Sequence, residues 1–226
     1  MLFSCLRRST LAIVFIVISS FGRSALAKEV NHNGRPMVIV HVYNNSKMPA
    51  SELAETGTYV REIFEKAGVE IVWLDSRSRV GAHEPDSLNH GRAEGSGRHV
   101  SLAIVPRPGA VGPKGRNTES VLGWTPSGQR SRTYVFYERV EAFVLNSFPR
   151  VSLRVPRVLA YAVAHELGHL LIPLANAHSE KGIMKAQLDR NDLAELFSAS
   201  LGFSGKESEL IVRDLKPWAD IQALVR

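Results

Sequence analysis

The feature that most constrains this chain is a pair of histidines placed four residues apart in a segment with a strong helical pattern. Residues 154–171 are rich in alanine and leucine, and Pro156 lies near the start, where a helix tolerates proline. Pro173 lacks an amide donor, so the helix must end before it. His165 and His169 therefore stack on one face. The apolar residues that recur at helical spacing are Val155, Val158, Leu159, Ala162, Val163, Leu167 and Leu170.

Two imidazoles on neighbouring helical turns are able to share one metal ion. Zinc accepts histidine nitrogen, and its catalytic sites usually keep three protein ligands and one open position. Glu166, directly after His165, is placed to take a proton from a metal-activated water. A single histidine beside an apolar stripe is usually a packed core residue, but packing alone does not explain this glutamate or the downstream His178 and Met184. The pattern therefore predicts a metal-dependent hydrolase.

The strings HELGHLL, HS and GIM, read in this order along the chain, resemble the metzincin superfamily of zinc endopeptidases. They are also similar to a group of uncharacterised secreted bacterial proteins of metallopeptidase type. The resemblance implies that His165, His169 and His178 are zinc ligands, that Glu166 is the general base, and that Met184 forms a methionine turn beneath the metal.

The connection between the second and third histidines departs from the metzincin pattern. Metzincins place the third histidine closer to the second, with a helix-ending glycine between them. Here His178 is nine positions after His169, Ile172 occupies the usual glycine position, and Pro173 follows it. We therefore expect a longer reversal of the chain, followed by a turn in which Gly182 adopts a positive φ.

An alternative third ligand is Glu195. Other zinc hydrolases with the same helix take this ligand from a glutamate on a later helix, and residues 191–200 read as a helix. Glu195 is otherwise interpreted as an exposed helix residue.

The N-terminal residues 1–27 read as a secretory signal peptide. Arg7 and Arg8 precede the apolar run 11–18, and residues 25–27 form the small-x-small pattern of a cleavage site. At eight residues the run is short for a membrane span, and no later segment approaches the ~18–20 residues that a span needs. We expect a secreted or periplasmic protein, 28–226, with no stable membrane anchor after cleavage.

Charge and cysteine content limit the classes of partner and the cross-links that we expect for this protein. Residues 1–27 carry three arginines and no acids, so their removal lowers the net charge from +6 to +3. Lysines and arginines are scattered, with no basic stripe interleaved with aromatics, so nucleic acid is not an expected partner. The single cysteine, Cys5, lies within the signal peptide, so the exported chain would have no disulfide. A peptide or protein substrate is expected, and the sequence does not give the oligomeric state.

The pattern of elements predicts one α+β domain with a twisted mixed sheet, a covering helix, the HExxH helix and C-terminal helices. The resemblance implies that this domain is of the metzincin-like, zincin type and contains the methionine turn. Polar stretches 76–98 and 107–120 have no assigned structure. Predicted strands are 37–43, 70–74, 100–105 and 133–137, with an extended piece at 121–124; predicted helices are 51–67, 154–171, 191–200 and 207–216.

Three interpretations remain open from the sequence. The first is a secreted zinc-dependent peptidase with Glu166 as general base, and the second is an exported protein that binds zinc or peptide without turnover. The third is a structural domain whose histidines pack in the core. In related enzymes a strand edge beside the metal receives the substrate as an added strand. Residues 121–124 or 134–137 are candidates for that edge.

Overall fold

The chain alternates strands and helices before it reaches the histidine helix. The computed structural model describes residues 35–76, 97–109, 112, 120–147, 154–172, 178–188, 190–198 and 200–224. The elements in chain order are β1 (Met37–Asn44), α1 (Ala50–Lys66), β2 (Glu70–Asp75), β3 (Arg98–Val105), β4 (Gly123–Trp124), β5 (Arg132–Phe136), α2 (Tyr137–Ser147), α3 (Val155–Leu171), α4 (Arg190–Phe197) and α5 (Gly205–Leu224).

The strands form one mixed sheet in the order β2-β1-β3-β5-β4. β1 pairs in parallel with β2 and β3, and β5 pairs in parallel with β3, while the two-residue β4 runs antiparallel to β5. Two parallel strands need a crossover, and α1 provides it between β1 and β2. The predicted α+β class with a mixed, helix-covered sheet is confirmed.

One face of the sheet packs against α1 and α3. Alternate residues of the parallel strands point to this face, because strand side chains alternate. The fully buried side chains where the sheet meets these helices include Val38, Val40 and Val42 from β1, Val100, Leu102 and Ile104 from β3, and Val60 and Phe64 from α1.

Helix α3 is buried on more sides than its apolar stripe predicts. The stripe residues are buried except Val155, which is half-buried, and burial extends to Ala160, Tyr161, Ala164 and Gly168. The reason is that α3 contacts α2, α4 and α5 in addition to α1 and the sheet. The histidine helix is therefore the centre of the core.

Three elements differ from the sequence prediction. Tyr137, predicted as the end of a strand, begins α2, a helix that was not predicted. β3 begins at Arg98, so the preceding polar stretch is shorter than expected. α5 extends from Gly205 to Leu224 and continues past Pro217, which removes one amide donor without ending the helix.

Some predictions concern residues outside those described. They are the signal peptide 1–27, most of 76–98 and 107–120, and the connection 173–177. The described residues all belong to one compact unit, Asn31–Arg226. Within the described part of the chain, no helix has the length and apolarity to cross a membrane.

Candidate metal centre

Three histidine rings meet at the end of α3. His165 and His169 lie in its last two turns, with ring centroids 4.7 Å apart and Nε2 atoms 3.1 Å apart. The ring centroid of His178 lies 5.3 Å from that of His165 and 5.0 Å from that of His169. One ligand atom from each of the three lies within 4.8 Å of the other two. The group is therefore able to hold a metal ion.

The carbonyl oxygen of Ile183 fixes which nitrogen of His165 carries the proton. The oxygen lies 2.7 Å from His165 Nδ1, and because a carbonyl only accepts, Nδ1 must donate. The lone pair of the neutral ring is then on Nε2, the atom that faces His169. The hydroxyl of Tyr161 donates to the same carbonyl at 3.1 Å. A backbone acceptor thus orients His165 so that its Nε2 is free to bind a metal.

Burial keeps the histidine pair uncharged. It lowers the pKa of His165, an effect that the bond to Ile183 opposes. Burial, together with the neighbouring His165 and His178, lowers the pKa of His169 to about 4. Only a neutral imidazole can bind a metal, so both rings are in the binding form at neutral pH. Among the described residues the group consists of histidines alone, and a set of three imidazole nitrogens fits zinc rather than calcium or magnesium.

The Glu166 carboxyl group is enclosed by the edge of the sheet. The residue is 6% exposed. A Cβ on Gly123 would lie 2.5 Å from Glu166 Cγ and 2.8 Å from Oε1, so the close approach requires glycine there. The hydroxyl of Thr125 donates to Glu166 Oε2 at 2.7 Å. Burial raises the pKa of Glu166 to about 7, and the bond from Thr125 opposes the rise. The group therefore exchanges its proton near neutral pH, as a general base requires.

The turn that carries Met184 packs directly against α3. Met184 is 1% exposed, and a Cβ on Gly168 would overlap its sulfur atom. The amide of Ser179 donates to the Met184 carbonyl at 2.9 Å and closes the turn. Gly182 adopts a φ of 77°, the positive value that the sequence predicts. This packing holds the carbonyl of Ile183 in place against the histidine helix.

The structure brings all the predicted site residues together except one. His178 joins His165 and His169, and Glu166 follows the first of them on α3. Glu195, the alternative third ligand, lies on α4 with an exposed side chain and is not in the group.

Comparisons with known proteins give a distant likeness. Neither the search against protein-family models nor the search of curated proteins finds a match. Among solved structures, the chain is similar to archaemetzincin from Methanopyrus kandleri, with 18% sequence identity and a TM-score of 0.45. The likeness covers 83% of this chain and 99% of that chain. At this level of identity and superposition it decides nothing about activity.

The sequence did not predict several residues that lie at the candidate metal centre. Gly123 carried a usable signal, since an isolated glycine in an extended segment often marks a close backbone approach. Thr125 and Tyr161 carried none, because their partners Glu166 and Ile183 are distant along the chain. Only the packing of α3 against β4 and against the Met184 turn brings them to the site.

Proposed function

We propose that this chain is an exported zinc-dependent peptidase. The observation that carries the proposal is the convergence of three imidazoles at the end of the helix that also carries Glu166, a buried carboxyl group whose pKa is raised to about 7. His165, His169 and His178 would hold the metal. When bound, zinc would supply Lewis acidity, which polarises a carbonyl and lowers the pKa of water.

Glu166 is the proposed general base. It accepts a proton as water attacks the carbonyl carbon, and it delivers that proton to the amine as the C–N bond breaks. With a pKa raised to about 7, the same carboxyl group is able to accept and release the proton in one turnover. Its contacts with Gly123 and Thr125 support this role, because they hold the carboxylate in one position between β4 and the histidine helix.

The proposed substrate is an extended peptide bound along β4. This strand ends the sheet order and pairs with β5, so it is an edge of the sheet, whereas β5 lies between β3 and β4. The candidate edge 121–124 therefore fits better than 134–137. An edge strand offers backbone donors and acceptors that an added peptide strand can use. Gly123 of this strand also contacts the Glu166 carboxyl group, which places the edge next to the proposed chemistry.

Export is proposed from residues 1–27 alone. Expression of the full chain in a bacterial host, followed by fractionation and N-terminal sequencing, tests it. We expect a periplasmic or secreted product that begins near Lys28. A cytoplasmic product with an intact N-terminus would contradict export without affecting the chemistry.

The decisive experiment pairs metal analysis with cleavage of a mixed peptide library. We expect about one zinc per chain, and we expect Glu166→Gln to keep the zinc while cleavage falls by about 10²–10⁴-fold. A parent protein that holds zinc and cleaves nothing would favour an exported zinc- or peptide-binding protein. A parent protein without stoichiometric metal would end both proposals.

The third ligand is tested by two substitutions that remove one candidate side chain each. His178→Ala should lower zinc affinity sharply, because two imidazoles and solvent hold zinc less well than three imidazoles. Glu195→Ala is the matched control, and we expect it to bind zinc as the parent does. The reverse result would assign the ligand to Glu195.

A further inference from the structure

We propose that the hydroxyl groups of Thr125 and Thr133 form a relay that positions the carboxylate of Glu166. The inference rests on the proposed function, since it assigns positioning residues to the proposed general base. Thr125 directly follows β4 and Thr133 lies in β5, so the relay joins the last two strands of the sheet to the histidine helix.

The number of available protons fixes the direction of the relay. Thr125 Oγ1 lies 2.7 Å from Glu166 Oε2 and 2.7 Å from Thr133 Oγ1. In the form that acts as a base, the Glu166 carboxylate is ionised and only accepts, so the single hydroxyl proton of Thr125 goes to Glu166. The oxygen of Thr125 then accepts from Thr133. The bonds run from Thr133 to Thr125 to Glu166, and each polarises the next.

Burial of Thr133 supports this direction of hydrogen bonding. Thr133 is fully buried, so its hydroxyl needs a partner within the protein. Its other acceptor is the carbonyl of Trp124, at the longer distance of 3.4 Å. Donation to Thr125 is therefore favoured, and it leaves the Thr125 proton committed to the carboxylate.

The opposite side of the carboxyl group is restricted by the backbone of β4. A Cβ on Gly123 would lie 2.8 Å from Glu166 Oε1, so that oxygen sits against the strand, while Oε2 is bonded to Thr125. Strand and hydroxyl together leave the carboxylate little freedom to rotate. A proposed base held in this way needs no reorganisation before it accepts a proton.

A purely structural interpretation is that Thr125 anchors β4 to α3, since its hydroxyl also lies 3.1 Å from the backbone oxygen of Glu166. The two interpretations differ in what conservative variants do. Thr125→Ser keeps the hydroxyl, whereas Thr125→Val keeps the shape and removes it. Thr133→Val removes only the second hydroxyl of the relay.

The kinetic test measures kcat and KM of these variants on one peptide substrate over a series of pH values and compares them at the pH where the parent is most active. We expect Thr125→Val to lower kcat about 10–100-fold with KM within about twofold, because misplacing a reacting group costs rate. Thr125→Ser should recover most of kcat, and Thr133→Val should fall between the two. A Thr125→Val protein with unchanged kcat, or a loss carried by KM, would overturn the relay.

A second readout does not depend on activity. Crystal structures of Thr125→Val and Thr125→Ser should show the Glu166 carboxylate displaced or in two conformers in the first variant, and in its parent position in the second. A carboxylate unmoved in Thr125→Val overturns the proposal whatever the kinetics. If the carboxylate moves while the parent protein cleaves nothing, positioning stands and the peptidase function fails.

Discussion

Burial acts in opposite directions on the acid and the bases at the centre. It raises the pKa of Glu166 to about 7 and lowers the pKa of His169 to about 4, because in both cases the charged form loses hydration. Without metal, His169 is therefore neutral at neutral pH, and Glu166 is about half ionised. A neutral imidazole is the form that an incoming cation binds.

The raised pKa of Glu166 predicts how stability depends on pH. The folded protein holds this proton up to about pH 7, whereas the unfolded chain releases it near the ordinary glutamate pKa of 4.5. Between these values the folded state binds more protons, so stability falls as pH rises. Relative to Glu166→Gln, the metal-free parent should lose up to about 3 kcal/mol across this window, at about 1.4 kcal/mol per pKa unit.

Urea titrations of both proteins with a chelator present, from about pH 4.5 to pH 8, measure this difference. His165 and His169 contribute the opposite slope, since their folded pKa values are lowered, but they are common to both proteins and cancel. A difference that stays flat, or grows in favour of the parent as pH rises, would contradict the raised pKa.

At the scale of elements, α3 packs closely against the turn that carries Met184. Gly168 lies on α3 between His165 and His169. Because it has no side chain, the sulfur of Met184 and the ring of Phe203 pack closely against the helix backbone. Glycine in a helix interior costs about 1 kcal/mol relative to alanine. That cost is offset here by the close contact of the Met184 turn.

Gly168→Ala should therefore destabilise the protein although it improves helix propensity. The added Cβ would overlap Met184 Sδ and lie 3.1 Å from Phe203 Cε1. Overpacking costs about 1–3 kcal/mol, more than the propensity gain of about 1 kcal/mol. In a Met184→Ala background the overlap is removed, and the same substitution should become neutral or stabilising. A double-mutant cycle by urea titration checks this, and coupling below about 0.5 kcal/mol would argue against the contact.

Elements with a clear local period were predictable from the sequence. The pattern of α1 and the spacing of α3 were read correctly, since one apolar face per helix decides them. α2 was missed although Val140, Phe143 and Val144 have helical spacing, because the preceding apolar strand extends the pattern into Tyr137. The short β4 has too few residues to show a period of two.

The site was predictable where its residues are close in sequence. His165, Glu166 and His169 lie on one helix, so their geometry follows from helical rise alone. The approach of His178 depends on the route of the chain, which no local pattern fixes. Thr125, Gly123 and the Ile183 carbonyl depend on contacts between distant elements, and the sequence alone does not reveal such contacts.

At the scale of the whole molecule, Arg98 ties the sheet to the C-terminal half. The residue is 5% exposed at the start of β3, and its guanidinium forms an ion pair with Asp214 of α5. It also donates to the carbonyl of Leu170 at 2.8 Å and to that of Arg130 at 3.0 Å. Since Leu170 follows His169, this network fixes the end of the histidine helix against α5.

Arg98→Met should destabilise the whole protein, because it removes the guanidinium and leaves Asp214 and a buried carbonyl short of a donor. Breaking a buried pair costs about 3–5 kcal/mol, and the second pairing of Asp214 with Arg130, at 3.2 Å, places our expectation near the lower value. The matched control is Arg35→Met at the Arg35–Glu65 pair, whose side chains are 43% and 70% exposed, where we expect less than about 1 kcal/mol. At about 2–4 °C per kcal/mol, thermal unfolding should separate the two variants by several degrees. Equal melting temperatures would mean that the network does not hold α5 and the histidine helix together.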